Sequence, residues 1–514
     1  MITHGRLLEE IDKAAAGLLP YKNGETLKIG IINLNAYEEA VFLLAASKIG
    51  AVSKFIDFSK NVTEIRESIA ESSVDVLVIE NRFMPMEPYI NPWALPVITL
   101  GEIKPSRPNC RSYADLILQS DPCACQPVRY KDNKCAVVIW SSGTTGAPKP
   151  IELSDKAINA AVMKFMLSDY PLAASNIMLK LIPSFIGMGV VTTLYTCLIT
   201  GDPIVYLPGY QMVPQIALEC VLKAIVSFRS FIQDKQMRPD TKLILFAAPM
   251  FFRGLAQCLE EIEDLSFIGC MLAGGSAMSK EELEIIDAAF SEKGCSVPVL
   301  VGYGQNEMAG GVTVNEIHAN KRGSAGKPMA ATMLKVVDLI TGAPLPNNTV
   351  GKIWEQSESL FIGYENMPER TQSSFVTDEN GDVWFDTNDV GYIDDDGFLF
   401  ITGRLSRVII RFDVKCSLDK IESKLRMSKY VKEVGVVAIK DTPYDRPIAF
   451  IVLNDNIAGT EVSPDIIIND VQTGPNPLND PEMLEELFIV DLLPYLSSGK
   501  IDYRTLEKKA SQDQ

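Results

Sequence analysis

The sequence predicts an α/β protein: a large N-terminal domain of mostly parallel sheets with helices, a β-rich subdomain within it, and a small α+β C-terminal domain. Three observations carry this. Short apolar runs alternate with helical stretches near the start of the chain, the pattern of parallel strands covered on both faces. Three such runs, ending at residues 140, 272 and 301, each open into a glycine-rich loop, and ligands on open α/β sheets bind at the carboxyl ends of strands. From about residue 333 the texture turns to short strands and turns, and past Arg404 to a compact α+β segment. A chain of 514 residues is enough for at least two domains. The divisions expected are 1–404, with the β-rich part at about 333–404, and 405–514.

Taken in order, 27–33 reads as a strand. Asn35 caps the following helix, Glu38 completes a capping box, and Gly50 ends the helix. Residues 62–71 are helical and 74–79 form a buried strand. The Pro- and Cys-rich stretch 104–128 reads as a linker. Residues 135–140, apolar and rich in β-branched side chains, form a buried strand, and Ser154 caps the next helix. Residues 181–201 carry no charge and are nominally long enough to span a bilayer. Pro183, Ser184 and the internal glycines and threonines instead favour a buried strand, loop and helix. Strands follow at 267–272 and 298–301, then at 333–338, 351–354, 383–385 and 398–401 in the β-rich part. Asp394-Asp-Asp-Gly397 reads as a hairpin turn. Past Arg404, strands near 434–439 and 448–453 accompany helices near 418–427 and 481–488.

Composition narrows the function. A net charge of −18 argues against nucleic acid or an anionic membrane surface as the main partner. With His4 and His318 the only histidines, histidine metal sites and Ser-His-Asp triads are nearly excluded. Ten cysteines without a C-x-x-C pair read as reduced, mostly buried thiols of a cytoplasmic protein. No signal-peptide pattern opens the sequence, and no membrane span is expected.

The organising stretch is Trp140-Ser-Ser-Gly-Thr-Thr-Gly-Ala-Pro-Lys149. Gly143 and Gly146 let the backbone approach a ligand closely. Ser141, Ser142, Thr144 and Thr145 supply hydroxyls, and Lys149 a positive charge, a combination suited to polyphosphate. On composition alone such a cluster is more often a plain loop, and the Walker spacing is absent. Its order of residues, however, closely resembles the phosphate loop of the adenylate-forming superfamily, which includes acyl-CoA synthetases, luciferase and nonribosomal peptide adenylation domains. Four further motifs follow in the order of that superfamily, so the resemblance spans nearly the whole chain.

Gly302-Tyr-Gly-Gln-Asn-Glu307 resembles the Y-G-x-T-E element. The resemblance implies that Tyr303 lies against adenine and that Glu307, with Thr144, holds Mg²⁺, with Gly302, Gly304, Gln305 and Asn306 around the nucleotide. Taken alone, such a glutamate is more often a solvated loop carboxylate; the motif around it favours the metal role. Asn306 stands where threonine is usual. Gly274-Gly275-Ser276 matches the segment on the other face of adenine, or is a simple turn. Thr387-Asn-Asp389 resembles the T-G-D motif, implying that Asp389 accepts from both ribose hydroxyls. Gly403-Arg404 matches the end of the large domain, Ser406 takes the hinge position, and Leu496-Ser-Ser-Gly-Lys500 matches the adenylation-lysine motif. Catalysis is thus expected from Lys500, Glu307 and Thr145.

The resemblance implies stacked sheets in the large domain and a mobile C-terminal lid. It also implies an ATP- and Mg²⁺-dependent acid–thiol ligase that forms an acyl-adenylate and transfers it to coenzyme A. An acyl-AMP ligase loading a carrier-protein thiol is the alternative, and an inactive nucleotide-binding relative a third reading. The acid-contact segment, Pro183 to Gly189, has no aspartate to pair with an α-amino group, so an apolar aliphatic or aryl acid is expected. Phe185, Gly187, Met188 and Ala309 are the candidate pocket, or ordinary core. Phe412-Asp413 occupy the place of two glycines that pass the pantetheine arm, and Arg407 stands where an acidic residue is common.

Overall fold

Continuous apolar runs become strands buried on both faces, and they set the architecture. The computed structural model describes the chain except residues 1, 34–35, 59, 102–107, 142–148, 171–175, 208–213, 413, 440–443, 455–456, 458–461, 496–499 and 513–514. The first sheet takes β1 (Lys28–Ile32), β2 (Val52–Phe55), β3 (Val76–Glu80), β4 (Val97–Leu100), β5 (Cys110–Ser112), β6 (Cys135–Trp140) and β7 (Pro150–Ser154), in the order β7-β6-β2-β1-β3-β4-β5. Only β7 runs antiparallel to its neighbour within that run. The second sheet takes β8 (Ile177–Leu179), β9 (Ile204–Val205), β10 (Leu243–Ala247), β11 (Ile268–Ala273), β12 (Val299–Gln305), β13 (Gly310–Val314) and β14 (Lys327–Pro328). Its order is β14-β13-β12-β11-β10-β8-β9, parallel from β12 to β9. Each sheet has its own apolar core.

The β-rich part is an antiparallel sheet of β15 (Thr332–Val337), β16 (Gly351–Ser357), β18 (Phe375–Thr377), β19 (Val383–Ile393) and β20 (Leu399–Arg404), interrupted by β17 (Gly363–Tyr364), which pairs with β7 of the first sheet. Beyond it lie the hairpin β21 (Val408–Arg411) and β22 (Val414–Ser417), and a three-stranded sheet of β23 (Val431–Ile439), β24 (Arg446–Leu453) and β25 (Glu486–Ile489). Helices Leu418–Arg426, Pro464–Thr473 and Tyr503–Gln512 accompany them. The apolar cluster around Ile421, Leu425, Val436 and Ile451 contains no residue before Ile409.

Several local expectations hold. Gly50 ends its helix at φ 68°, in the left-handed region that glycine tolerates. The Ser154 hydroxyl accepts from the Ala157 N–H at 3.0 Å, and Asp394 Oδ1 accepts from the Asp396 and Phe398 N–H groups across the expected turn. Others do not. The second helix starts at Glu38 with Tyr37 at its cap position and no side-chain cap, while Asn35 lies outside the described residues. The expected linker carries β5 and a helix, Tyr113–Gln119, because Ser112 caps that helix and β4 takes β5 as a parallel edge. The expected helix at 481–488 is instead a short 3₁₀ turn followed by β25, since parallel pairing with β24 places Phe488 on Phe450, ring centroids 5.3 Å apart. Residues 181–201 include a π-helix, Met188–Tyr195, and a short helix, Thr196–Thr200. Among the described residues no helix is long and apolar enough to cross a membrane. No cysteine is in a disulfide; five are buried, four half-buried and Cys123 is exposed, so burial is less general than expected.

Candidate active site

Where β6, β11 and β12 end, their chain continuations meet along one cleft of about 2220 Å³ that runs on toward the C-terminal helices. At the neck of the glycine-rich loop, Ser141 and Lys149 clasp each other. The Ser141 N–H donates to the Lys149 carbonyl, and the Lys149 N–H donates to the Ser141 hydroxyl, both at 2.9 Å. Antiparallel β6 and β7 thus present a closed loop base at the cleft. Ser142, Gly143, Thr144, Thr145 and Gly146 lie outside the described residues.

β12 is longer than its apolar run suggests. It continues through Gln305 because β13 pairs with it antiparallel, and the two backbones approach so closely that a Cβ on Gly304 would lie 1.9 Å from the Gly310 carbonyl oxygen. The following turn is pinned by Asn306. Its Oδ1 accepts from the Gly187 N–H at 2.9 Å and its Nδ2 donates to the Trp140 carbonyl at 2.6 Å. The Asn306 amide therefore joins β6, β12 and the 183–189 segment, rather than standing free to meet a phosphate. Asn306→Ala is expected to cost about 1–3 kcal/mol, the penalty of stranding two backbone groups, read as a lower midpoint of chemical denaturation.

Of the carboxylates that line the cleft, Asp389 and Glu307 have different partners. Asp389 is almost fully buried; its Oδ2 accepts from the Tyr303 hydroxyl at 2.7 Å and Gln305 Nε2 at 2.8 Å, and its Oδ1 lies 3.0 Å from Arg404 Nε. Burial and the Asp389 charge push the Tyr303 hydroxyl well above the usual tyrosine range, so it remains a donor. Glu307 accepts from the Tyr364 hydroxyl at 2.9 Å, and Lys149 stands 5.2 Å from the centre of the Tyr364 ring. One carboxylate beside a loop that suits phosphates fits magnesium, which is ordinarily held by one or two carboxylates plus substrate phosphates.

Lys500 reaches this cleft from the far end of the chain. A Cβ on Gly275 would sit 3.6 Å from Lys500 Cε, which places the lysine on the 274–276 turn. Burial, then the charge of Arg404, lowers its pKa to about 8 against the pull of Asp389 and Glu307. Gly274, Ser276, Gly302, Tyr303, Gln305 and Ser406 also line the cleft, Ser406 on the exposed turn between β20 and β21. Of the acid-pocket candidates, Phe185 and Met188 line it. Gly187 packs against Asn306 and Ala309, and Ala309 is fully buried in the first core at φ 53°, so neither lines the cleft.

Glu355, Tyr364 and Arg370 carried no sequence motif, whereas Thr192 follows the acid-contact segment. Glu355, on β16, is fully buried, and burial followed by the Asp389 charge pushes its pKa up to about 8. Thr192 is fully buried at the cleft wall with its hydroxyl unpartnered among the described residues. Tyr364 and Arg370 form the wall beside Lys149. The set is rich in fixed cations, acceptor carboxylates and hydroxyls and has no histidine. Such a site acts by positioning and charge rather than by passing protons.

Comparison with known proteins bears on the family and the fold. The profile of the family described as "AMP-binding enzyme" matches residues 1–365. A relative, 4-coumarate–CoA ligase 5 of Oryza sativa subsp. japonica, is 26% identical, covering 97% of this chain and 87% of its own. ATP-bound MatB of Rhodopseudomonas palustris superposes with a TM-score of 0.83 at 20% identity, covering 99% of this chain and 93% of its own. A benzoate CoA ligase of Burkholderia xenovorans LB400 gives 0.82 at 18% identity, covering 98% and 94%.

Proposed function

The chain belongs to the AMP-binding enzyme family, and on that footing we propose that it joins a small carboxylic acid to a thiol, with ATP as the energy source. It is an AMP-forming acid–thiol ligase that takes ATP, Mg²⁺ and coenzyme A. The observation that carries this reading is the meeting of Lys500 with Asp389, Arg404 and Glu307 on one cleft beside the Ser141–Lys149 clasp.

In the first half-reaction a carboxylate oxygen of the acid attacks the α-phosphorus of ATP. The bond to the bridging oxygen breaks, and pyrophosphate leaves. Lys500, which lies over Gly275, offsets the charge that grows on the α-phosphate and carboxylate oxygens. Asp389 and Arg404 orient the ribose. Glu307, with Thr144 of the loop, would hold magnesium, which when bound would neutralise the polyphosphate and steady the leaving group. In the second half-reaction the thiol sulfur attacks the acyl carbon and AMP leaves. Little proton chemistry is needed, in keeping with a site without histidine.

The large domain runs to about residue 404 and the lid from 405, turning about Ser406; the separate apolar cluster beyond Ile409 supports this division. Arg407 then anchors the lid side of the turn, paired with Asp419 at 2.5 Å and Glu422 at 2.6 Å. The acid is apolar, aliphatic or aryl, since the 183–189 segment offers no carboxylate for an α-amino group. The enzyme is placed in the cytoplasm, where ten unpaired thiols persist.

A carrier-protein thiol as acceptor is favoured by one observation. Phe412 sits at φ 53° on the β21–β22 hairpin turn, a conformation suited to glycine, with its ring 4.8 Å from Tyr444. Asp413 lies outside the described residues. Phe412→Gly is expected to relieve about 1–2 kcal/mol of backbone strain and to raise thioester formation with free coenzyme A several-fold, leaving adenylation unchanged. An unaltered coenzyme A rate would show that the side chain does not narrow the thiol path.

Acid-dependent exchange of pyrophosphate into ATP, across aliphatic, aryl and amino acids, tests the whole reading. Exchange with one class of acid identifies the substrate. ATP binding without exchange on any acid would leave an inactive nucleotide-binding relative.

A further inference from the structure

Beside the Ser141–Lys149 clasp the cleft has a wall built by β17 and the short helix Pro368–Gln372. β17 pairs with β7, Tyr364 opposite Ile151, and the Glu365 N–H donates to the Pro150 carbonyl at 2.9 Å. The chain after Tyr364 therefore starts alongside Lys149. Thr371 ties the short helix back, its hydroxyl oxygen accepting from the Tyr364 N–H at 2.9 Å and its hydroxyl donating to the Met367 carbonyl at 3.0 Å. A Cβ on Gly363 would stand 2.9 Å from Thr371 Cγ2, so the helix is pressed onto the strand. Arg370 is thereby held at the edge of the cleft, which it lines together with Ser373 and Ser374.

The charges at this wall do not balance. Arg370 is exposed, and among the described residues neither it nor Lys149 makes an ion pair; the Tyr364 ring lies beneath Lys149, with Glu307 the carboxylate that acts on it. The Glu307 carboxylate nearby accepts from Tyr364. Burial depresses the Lys149 pKa and the Arg370 charge depresses it further, so the two cations stand within range of mutual repulsion. On a chain of net charge −18, an uncompensated pair of cations at one cleft wall is a site for an anion. The charges acting most on Lys500 are Arg404, Asp389 and Glu307, not Arg370. Arg370 thus belongs to the Lys149 end of the cleft, away from the ribose-facing Asp389. A guanidinium is always charged and offers a planar fork that matches two phosphate oxygens.

We propose that Arg370 binds the β,γ end of ATP and holds the pyrophosphate as it leaves, a role that rests on the acid-activation reading above. It is a binding residue for the known substrate, supplied from the helix after β17 rather than from the glycine-rich loop.

The test compares ligands with and without the distal phosphates. Titrations of the full-length enzyme with Mg-ATP, pyrophosphate and AMP are made on the wild type, Arg370→Ala and Arg370→Lys. The alanine variant is expected to weaken ATP and pyrophosphate about tenfold and to leave AMP unchanged, with lysine recovering part of the loss. In exchange assays KM for ATP and pyrophosphate rises while KM for the acid stays constant. ATP binding equal to wild type, or parallel weakening of ATP and AMP, would overturn the assignment. Arg370 is exposed, and an unchanged melting temperature checks that the variant is folded. Absence of exchange in the wild type would sink the ligase reading alone, because the ATP-against-AMP comparison still decides on Arg370.

Discussion

Replacing Lys500 with alanine is expected to slow acyl-adenylate formation about 10²–10³-fold, the usual cost of removing one preorganised donor from the transition state of such a reaction. The loss should fall on kcat of pyrophosphate exchange, with KM for ATP changed far less, because the lysine acts on charge that grows during the attack. Transfer from chemically prepared acyl-adenylate to the thiol should be nearly unaffected. A K500A enzyme that exchanges pyrophosphate at the wild-type rate would remove Lys500 from catalysis. The lowered pKa sharpens the test. Lysine is useful here only when protonated, and the free-enzyme pKa is about 8. The kcat/KM for ATP should therefore fall as pH rises through about 8. Bound polyphosphate favours the protonated lysine, so kcat should hold to higher pH. In K500A the alkaline limb disappears.

Asp389→Ala should weaken ATP about 10²-fold, from the loss of charge-assisted hydrogen bonds to the ribose. A second effect separates this residue from a surface contact. Three donors already converge on its oxygens, namely Tyr303, Gln305 and Arg404. A carboxylate offers about four acceptor positions, so a grip on both ribose hydroxyls requires Gln305 or Tyr303 to give way. Removing the carboxylate leaves those donors without their acceptor. Folding stability should drop by about 1–3 kcal/mol, discounted because the Arg404 side chain is 34% exposed. Asp389→Asn keeps the shape but turns an N–H₂ toward one of those donors. It should recover little of the ATP affinity; full recovery would show that shape alone, not charge, holds the nucleotide.

Much of this site was legible because parallel strands buried on both faces leave an unbroken apolar run, and a run that stops at glycine marks a loop over the sheet edge. That logic located Gly274–Ser276, Tyr303 and Ser141. The lysine and aspartate motifs, at 500 and 389, were legible as short local patterns. Where the reading stopped, tertiary contacts decided. Glu355 falls one residue past the strand expected at 351–354, and packing of the β-rich sheet buries it. Arg370 follows a Pro-Glu pair that reads as a surface helix start, and it meets the cleft only because β17 returns to the first sheet. Asn306 was legible as a substitution, but its double bond to Trp140 and Gly187 was not, because those partners come from distant elements. The strand at 486–489 reads as helix because Met483, Leu484, Leu487 and Phe488 follow helical spacing, and parallel pairing with β24 overrides it.

The return of β17 bears on where this protein can be cut. Without it β7 would end the first sheet as an open edge, its free N–H and C=O groups available to a second chain. A fragment stopping before Gly363 would thus carry a self-templating border, and a graft of the β-rich part from another protein would have to carry its own two-residue seal. The family match ends at residue 365, one position past that seal.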